Sequence, residues 1–391
     1  MPFGLHLHRQ REVRAKWVRK TGTTHPITDK LFLESLASDF PKRYTRIQKV
    51  GDGSEGCVES WAHKGSGAMI AAKVIRARQS MPREVEVLKD LPPHKSIAQI
   101  LAYFQKMPKA DSDCVLFEYC AGGDLFDLQR WMWKKNRCLW SEAFMWAIFT
   151  QLGDAMAFLH EGQGCPGPHD ADLWRPVVHR DVKMENVFID ALGAKDDCSS
   201  VKVKLGDFGL STFYNPKDPK MPGHWGTTIL WPPEQTWEGR EATPAGDIWA
   251  VGCIIHELAH GFPPVVDPEK TESEYKSDPK GGALPVWWDE AKKKTFWAAN
   301  AQRKPFPINL NPTDQEFDGR RNRPTPKYSN ELNGCLQMAL AMNMENRATA
   351  GALKEALEEQ EAAYKYEEMR KMTEAMEIET GGDGVEEDWF Y

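Results

Sequence analysis

The sequence contains no pair of cysteines at the C-x-x-C spacing that many zinc sites and redox motifs use, although it holds eight cysteines. These cysteines are scattered along the chain, so neither a zinc site nor a disulfide framework is expected. Unpaired thiols are typical of reducing compartments, and we therefore expect a cytoplasmic or nuclear protein.

Long apolar runs and an excess of positive charge are also absent. No stretch approaches the roughly 20 apolar residues that a membrane-spanning helix needs. The first ten residues, MPFGLHLHRQ, lack the apolar core of a signal peptide. The net charge of -7 argues against a general nucleic-acid binder. We therefore expect neither a membrane nor a nucleic acid as a partner.

The chain divides into three parts by composition. Residues 1–43 form a basic extension, which is either a solvated arm or a docking arm for an acidic partner. Residues 44–355 carry the globular patterns, with short alternating strands up to about residue 120 and mainly helical patterns from about residue 121. Residues 356–391 form a charged helical segment and then an acidic tail, a second candidate docking segment. Strands followed by helices predict an α+β fold with two lobes.

Local signals predict individual elements within this frame. The sequence KGSG at 64–67 is typical of a hairpin turn. Ser80 is a candidate N-cap for a helix through REVEVLKDL, and Ser141 for a helix that ends near His160 with one apolar face. Further helices are predicted over DIWAVGCIIHELAH up to Gly261, near residues 286–301, and from Ala348 to about Thr380.

The stretch VGDGSEGCV at 50–58 contains the pattern G-x-G-x-x-G at Gly51, Gly53 and Gly56. Glycines allow tight turns and a close approach of backbone N–H groups to phosphate oxygens. The dinucleotide-binding version of this pattern opens a helix, whereas two strands are predicted here. From these residues alone, a plain hairpin turn and a phosphate-binding loop both stay open.

Lys73 lies inside the predicted strand MIAAKVI, where a lysine is usually on a solvated face. The alternative is an ammonium group in a cleft, which then needs an anionic partner. Glu84 is the candidate partner, and Glu86 is the competing choice on a different side of the helix.

The segment HRDVKMEN places several polar residues between two apolar runs. Asp181 could accept a proton from a hydroxyl group, and the amide of Asn186 could bind a hard cation. Lys183 offers a positive charge for a phosphate. Asp207, in LGDFGLS, adds a second oxygen ligand. Taken singly, each aspartate is more typical of a turn or a helix cap.

These motifs together resemble those of the eukaryotic protein kinase family, of the serine/threonine type. The glycine loop, AAK, a helix glutamate, HRDxKxEN, DFG, PPE and DIWxxGC occur in the family's order over residues 44–355. The resemblance implies a two-lobed kinase fold with ATP and Mg²⁺ as cofactors and a protein as substrate.

By this resemblance Gly51, Gly53 and Gly56 cover the ATP phosphates, and Lys73 contacts them while paired with Glu84. Asp181 is the catalytic base, assisted by Lys183, and Asn186 and Asp207 bind Mg²⁺. The other implied nucleotide contacts are Val58, Ala71, Glu118, Cys120 and Asp124, with Phe117 as the gatekeeper of the pocket. Asp247 is implied to support the catalytic loop, Glu234 to pair with Arg347, and Lys183 and Thr227 to favour serine and threonine acceptors.

The sequence departs from the family pattern at several positions. Met184 stands where the family usually has proline, and Pro232 replaces the alanine of APE; we expect neither to abolish the chemistry. Only ten residues separate Lys73 from Glu84, a short link that we expect to favour this pair.

Arg180 is typical of kinases that are controlled by phosphorylation of the activation loop. Between Gly209 and Gly226 the hydroxyl groups are those of Ser211, Thr212 and Tyr214. We expect the loop either to be ordered without phosphate, with Asp218 near Arg180, or to be modified at Thr212, Thr227 or Thr228.

Two acidic residues, Asp124 and Glu185, resemble positions that favour basic residues upstream of the acceptor. The sequence as a whole predicts an active protein serine/threonine kinase. The alternative is a kinase-like scaffold with weak or no activity, which binds partners through its basic arm, inserts and acidic tail.

Overall fold

The structure is a computed structural model. It describes residues 40, 42–53, 56–134, 140–165, 174–192, 200–215, 217, 226–238, 242–277, 284–315 and 326–380. Residues 1–39 and 41 of the predicted extension at 1–43, and the acidic tail beyond residue 380, therefore lie outside the described residues. So do Cys138, Cys198 and Asp218.

The first lobe is built on a five-stranded antiparallel sheet in the order β1-β2-β3-β5-β4. The strands are β1 Tyr44–Gly53, β2 Gly56–His63, β3 Met69–Arg76, β4 Ile100–Phe104 and β5 Ser112–Glu118. The predicted hairpin turn at 64–67 joins β2 to β3, and the His63 side chain accepts a hydrogen bond from the Gly65 N–H at 2.9 Å. This lobe matches the β-rich part that the sequence predicts.

The helix α1 Arg83–Leu88 packs in this lobe. The predicted cap at Ser80 is wrong, because the helix begins three residues later. Pro82 occupies the N-cap position, and no side chain caps the helix. A residue before proline is disfavoured in helical backbone, so the turn cannot begin at Met81.

The second lobe is mainly helical. Its helices are α2 Leu125–Lys134, α3 Glu142–Glu161, α4 Pro244–His260, α5 Pro268–Ser277, α6 Glu290–Asn300, α7 Asn330–Ala339 and α8 Ala350–Thr380. Short strand pairs lie at its edge toward the first lobe, with β7 Val187–Ala191 beside β8 Lys202–Leu205 and β6 Val177–Val178 beside β9 Thr212–Phe213. The predicted α+β arrangement with two lobes is confirmed.

Two of the predicted helix ends are confirmed in detail. Ser141 caps α3, since its side chain accepts a hydrogen bond from the Phe144 N–H at 3.2 Å. Gly261 ends α4 with φ of 83°, a left-handed conformation that favours glycine. The prediction of one apolar face for α3 was too narrow, because Trp146 and Phe158 are fully buried as well. The helix is covered on several sides, by α4, α8 and β8.

The long helix α8 begins as part of the folded domain and ends in solvent. Its Leu357 is fully buried and packs against Gly153 of α3, where a Cβ atom would approach a Leu357 methyl group to 2.7 Å. Farther along, Thr150 donates to Glu361 at 3.2 Å, and the rings of Trp146 and Tyr364 lie 6.2 Å apart. Beyond that point Met369 is 66% exposed. The first half of α8 therefore stabilises α3, and the second half does not.

Among the described helices, none is long and apolar enough to cross a membrane. The six cysteines in the described ranges all carry free thiols.

We expect Leu357→Ala to lower the free energy of unfolding by about 3 kcal/mol, because it removes a fully buried side chain and leaves a cavity. Urea titration followed by circular dichroism measures this change. Met369→Ala on the exposed end of the same helix is the matched control, and a change within about 0.5 kcal/mol is expected for it. Equal losses in the two variants would show that α8 does not stabilise the domain through α3.

Candidate active site

The register of the sheet places several predicted nucleotide contacts on one face. Val58 and Val115 both lie opposite Lys73 on the neighbouring strands, and Phe117 lies opposite Ala71. Residues that are directly opposite each other, or two apart along a strand, point to the same face of a sheet. Val58, Ala71, Lys73 and Phe117 therefore share the face that carries the lysine.

The glycine loop connects β1 to β2, and its third glycine is required by sterics. A Cβ atom at Gly56 would collide with the backbone carbonyl of Val74. At Gly51 no atom lies within 4 Å of the position that a Cβ would take. Gly53 pairs with Gly56 at the end of the hairpin. The glycine loop is thus the turn of the β1–β2 hairpin. A hairpin turn and a phosphate-binding loop, the two alternatives for this motif, do not exclude each other.

Lys73 is held between two carboxylates from different parts of the chain. Its Nζ atom lies 2.9 Å from Glu84 Oε2 of α1 and 2.8 Å from Asp207 Oδ1, which follows β8. Burial lowers the pKa of Lys73, but the charges of Glu84 and Asp207 outweigh this effect and hold it above its usual value. The ammonium group therefore stays charged. The competing partner, Glu86, is exposed on the other side of the helix.

Glu84 also connects α1 to the DFG segment. Its second oxygen, Oε1, accepts a hydrogen bond from the Phe208 N–H at 3.1 Å, and Phe208 is fully buried. Burial raises the pKa of Glu84, whereas Lys73 lowers it. For Asp207 burial also opposes ionisation, but the charge of Lys73 keeps the pKa of this carboxyl below its usual value. Asp207 has φ of 56°, which is uncommon for a residue other than glycine.

The catalytic loop brings Asp181, Lys183, Asn186 and Thr227 into direct contact. Asp181 Oδ1 accepts a hydrogen bond from the Thr227 hydroxyl at 2.9 Å. Asp181 Oδ2 lies 3.0 Å from Lys183 Nζ and 3.2 Å from the Asn186 amide nitrogen. A carboxylate can accept about four hydrogen bonds, so one position remains for a further hydroxyl group.

The loop is fixed from below by Asp247 of α4. Its carboxylate accepts hydrogen bonds from the backbone N–H groups of His179, at 2.7 Å, and Arg180, at 2.9 Å. The same carboxylate lies 3.1 Å from His160 Nε2. The predicted support by Asp247 is therefore present. It acts on the backbone, and Arg180 is held there with φ of 69°.

Asn186 connects the catalytic loop to the segment before Asp207. Its backbone carbonyl accepts a hydrogen bond from the Gly206 N–H at 2.9 Å, and its amide nitrogen donates to the Asp181 carbonyl at 2.8 Å. Because the amide nitrogen faces Asp181, the amide oxygen of Asn186 is left for another partner. The Asp207 side chain is 45% exposed.

This donor set fits Mg²⁺. The ion prefers oxygen ligands and is usually held by one or two carboxylates together with substrate phosphates, rather than by a closed protein cage. Asp207 and Asn186 offer a carboxylate and an amide oxygen beside the lysine. In the described part of the chain no group of three or more His, Cys, Asp and Glu residues forms a closed metal cage.

The predicted hinge after β5 has side chains that serve the protein itself. Glu118 Oε2 lies 2.6 Å from Lys204 Nζ, and its Oε1 accepts from the Gln99 N–H at 2.8 Å. Cys120 is partly buried, and burial raises the pKa of its thiol to about 12. Asp124 accepts a hydrogen bond from the Asp127 N–H at 2.8 Å at the start of α2. Any ligand contact at Glu118 would therefore use its backbone.

One acidic residue near this site was missed by sequence reasoning. Burial, and then the charge of Glu185, raise the pKa of Glu257 to about 7. The pKa of Asp124 is also raised, first by burial and then by the charges of Asp127 and Glu185. Glu257 lies in α4, whose apolar pattern predicted a purely structural helix. No signal in the sequence indicated that its carboxylate interacts with that of Glu185.

The activation segment is described at its two ends and at Lys217. Ser211 is buried, and its hydroxyl donates to the Phe208 carbonyl at 2.7 Å, so it is not an accessible hydroxyl group. Thr212 pairs with Val178 between β9 and β6. Thr228 is buried as well. The predictions that concern Asp218 fall outside the described residues, and modification at Thr212, Thr227 or Thr228 stays a prediction.

The predicted ion pair between Glu234 and Arg347 is present. Arg347 Nη1 and Nη2 lie 2.7 and 3.0 Å from the two Glu234 oxygens, which is the bidentate geometry that arginine and carboxylate favour. The pair joins the PPE segment to the segment before α8.

Comparison with known proteins agrees with this geometry. The family model described as protein kinase domain matches residues 44–360. The chain belongs to the protein kinase family. The protein kinase fold therefore accounts for the β-rich first lobe, the helical second lobe and the polar cleft between them.

Three similar proteins are kinases by name. The chain is 31% identical over 245 residues to the G2-specific protein kinase nimA of Emericella nidulans, which covers 57% of this chain and 33% of that protein. It is 32% identical to the G2-specific protein kinase nim-1 of Neurospora crassa, over 57% of this chain and 27% of that protein. It is 30% identical to the human serine/threonine-protein kinase Nek2, over 59% of this chain and 48% of that protein. The matched region thus spans less than half of each relative.

We expect Asp247→Asn to lower the free energy of unfolding of this kinase domain by about 3 kcal/mol, because an amide N–H would then face a buried backbone N–H. Amide hydrogen exchange should also become faster at His179 and Arg180. The control is Asp289→Asn, at the N-cap of α6, where asparagine accepts the same hydrogen bond as aspartate. Unchanged exchange in the Asp247 variant would contradict the role assigned to its carboxylate.

Proposed function

We propose that the chain is an ATP-dependent protein serine/threonine kinase, which transfers the γ-phosphoryl group of ATP to a hydroxyl group of a protein. The observation that carries this proposal is that the pairs Lys73–Asp207 and Asp181–Asn186 lie close together, linked through the backbone. Lys73 lies 2.8 Å from Asp207, and Asn186 lies 3.2 Å from Asp181. Both pairs are joined by the hydrogen bond from Gly206 to Asn186. The names of the similar proteins support the serine/threonine type.

On the nucleotide side, the face that carries Val58, Ala71 and Phe117 would receive the adenine ring, next to the hinge at Glu118–Cys120. The glycine loop with Gly51, Gly53 and Gly56 would lie over the phosphates, and Lys73 would neutralise part of their charge. The buried position of Lys73 between two carboxylates aligns its ammonium group before ATP binds. Such preorganised charge is a large part of phosphoryl-transfer catalysis.

Asn186 and Asp207 would hold Mg²⁺. The ion, when bound, neutralises charge on the phosphate oxygens and orients the γ-phosphoryl group. The depressed pKa of Asp207 keeps this carboxylate ionised over the physiological pH range.

Asp181 would orient the acceptor hydroxyl and accept its proton. Its two oxygens are positioned by Thr227, Lys183 and Asn186. Lys183 would also stabilise the negative charge that develops on the transferred group. Through its hydrogen bond to Asp181, Thr227 would bring residues 227–231, which we call the acceptor-binding segment, beside the reacting atoms, and this would suit a serine or threonine hydroxyl group.

A kinase-like scaffold with weak activity is the competing proposal. All four central polar residues are present, as the contacting pairs Lys73–Asp207 and Asp181–Asn186, so no described feature favours the scaffold. Docking through the basic arm or the acidic tail, the domain limits and a cytoplasmic or nuclear location stay predictions.

We expect Asp181→Asn to abolish phosphoryl transfer to a generic protein substrate, with a loss of about 10³-fold or more, and to leave the fold intact. Transfer of ³²P from labelled ATP measures this, and circular dichroism checks the fold. Asp190→Asn is the control, since Asp190 is partly exposed and 3.9 Å from Lys204. Equal rates in wild type and Asp181→Asn would support the scaffold.

We further propose that the acceptor is preceded by a basic residue, which Asp124, Glu185 and Glu257 recognise. Burial is the first cause of the raised pKa of Glu257 and of Asp124, and the charge of Glu185 adds to both; a cation placed beside Glu185 would offset that part.

Because the pKa of Glu257 is about 7, its charge appears between pH 6 and pH 8. We expect kcat/KM for a peptide with arginine upstream of the acceptor, divided by that for its alanine analogue, to rise severalfold over this range. In Glu257→Gln the rise should disappear.

The same pKa shift predicts a change in stability. The folded state binds the Glu257 proton more tightly than the unfolded state does, so the free energy of unfolding falls as the pH rises from 4.5 to about 7. At pH 8 the Glu257→Gln variant should therefore have a higher Tm than wild type.

Glu269→Gln, an exposed change in the first turn of α5, serves as the control for both measurements. A pH profile of the peptide ratio that is the same in wild type and Glu257→Gln would exclude Glu257 from substrate recognition.

A further inference from the structure

A buried arginine in the proline- and lysine-rich region between α4 and α7 contacts the acceptor-binding segment. Arg303 is only 6% exposed. Its Nε donates to the Trp231 carbonyl at 2.8 Å and its Nη2 to the Thr228 carbonyl at 2.8 Å. Its Nη1 donates to the carbonyls of Ala298 at 3.0 Å and Ala301 at 2.5 Å.

The partners of Arg303 are all backbone carbonyl groups. Within the described ranges its guanidinium forms no ion pair with a carboxylate. A buried charge needs compensation, and here the acceptors at the C-terminal end of α6 provide part of it. The last carbonyls of a helix lack partners in the helix and carry a partial negative charge. One edge of the guanidinium thus binds the end of α6, and the other edge binds the segment before PPE.

The carbonyls of Thr228 and Trp231 belong to the segment that continues from the catalytic contact. Thr227 binds Asp181 through its hydroxyl, and residues Thr228–Leu230 then form a single 3-10 turn. Trp231 follows directly and closes the turn with a hydrogen bond to the Thr228 carbonyl at 3.2 Å. Arg303 therefore binds both ends of the turn whose preceding residue contacts the base.

On its other side this turn borders a small pocket beside the catalytic loop. The pocket has a volume of about 20 Å³, and Asp181, Thr227, Leu230 and Trp231 are among its lining residues. The hydrogen bonds from Arg303 supply part of the force that fixes the turn.

Arg303 itself is positioned by short backbone pairing. It forms an isolated antiparallel bridge with Val265, flanked by hydrogen bonds from Val266 to the Gln302 carbonyl and from Lys304 to the Pro264 carbonyl, both 2.8 Å. The segment after α4 and the segment after α6 are thereby joined. The side chain enters the protein from a rigid backbone.

We propose that Arg303 is a positioning residue for the acceptor protein: its planar guanidinium holds the turn at Thr228–Leu230 so that Thr227 and the acceptor align with Asp181. This inference rests on the proposed function. The role requires the fork geometry of arginine, since a lysine ammonium cannot reach the ends of the turn and the helix end at once. It acts on acceptor binding and alignment, and the nucleotide side of the cleft is independent of it.

The experiment compares wild type with Arg303→Lys, Arg303→Met and the control Lys304→Met. Lys304 is the neighbouring residue, and its Nζ lies over the Phe306 ring at 5.3 Å, away from the turn. Steady-state kinetics give KM for a serine peptide and for ATP, and hydrogen exchange followed by mass spectrometry gives the protection of residues 227–231.

We expect Arg303→Lys and Arg303→Met to raise the peptide KM on the order of tenfold, with the ATP KM within about twofold of wild type. Exchange should become faster at 227–231 in both, and Lys304→Met should match wild type. An unchanged peptide KM in both Arg303 variants overturns the proposal, as does a parallel rise of the two KM values or full function in Arg303→Lys.

If Arg303→Met does not fold, Arg303→Lys alone decides, since it keeps the charge and the aliphatic stem. If wild type transfers no phosphate at all, the proposed function fails, but hydrogen exchange still tests whether Arg303 stabilises the turn. Unchanged protection of residues 227–231 in Arg303→Lys would then show that it does not.

Discussion

The arrangement of the two lobes depends on one buried cation. Lys73 on β3 cannot remain charged in the cleft without anionic partners, because removing an ammonium group from water costs several kcal/mol. Its partners are Glu84, from α1 of the first lobe, and Asp207, from the second lobe. A single charge therefore fixes the distance between β3, α1 and the DFG segment. The hydrogen bond from the Phe208 N–H to Glu84 also orients the Glu84 carboxylate, because a hydrogen bond requires alignment of donor and acceptor.

In the second lobe, the catalytic loop carries polar groups in a buried part of the chain, and these groups need hydrogen-bond partners. Asp247 satisfies two backbone N–H groups, and Asn186 satisfies the Asp181 carbonyl and the Gly206 N–H. Once the backbone groups are paired internally, the carboxylate of Asp181 and the amide oxygen of Asn186 are left to face the cleft. The polar cluster between Val177 and Ile189 is thus compatible with burial because most of its hydrogen bonds are made within the loop and to α4.

Sequence reasoning succeeded where the physical cause is local. Ser141 and Gly261 mark helix ends through their own hydrogen bond or backbone conformation, and Glu84 was preferred over Glu86 by helical geometry. It failed where the cause is tertiary. Ser80 had the right chemistry for a cap, but Pro82 displaced the start of the helix. Glu257 and Arg303 have no local signal for these roles, since Glu185 lies 72 positions from Glu257 and Trp231 lies 72 positions from Arg303.

The nucleotide and acceptor sides of the cleft are held by interactions of different kinds. Lys73 is fixed by full charges, whereas the turn at Thr228–Leu230 is fixed by the carbonyl groups that Arg303 binds and by one hydroxyl contact to Asp181. In the proposed function, the full charges would attract the phosphates of any nucleotide. The hydrogen bonds from Arg303 to backbone carbonyls do not depend on the side chains of the turn, so these side chains can vary. The segment between α4 and α7 would then change the preference for an acceptor without disturbing the proposed site of phosphoryl transfer, because no atom of Arg303 contacts Lys73, Asn186 or Asp207 among the described contacts.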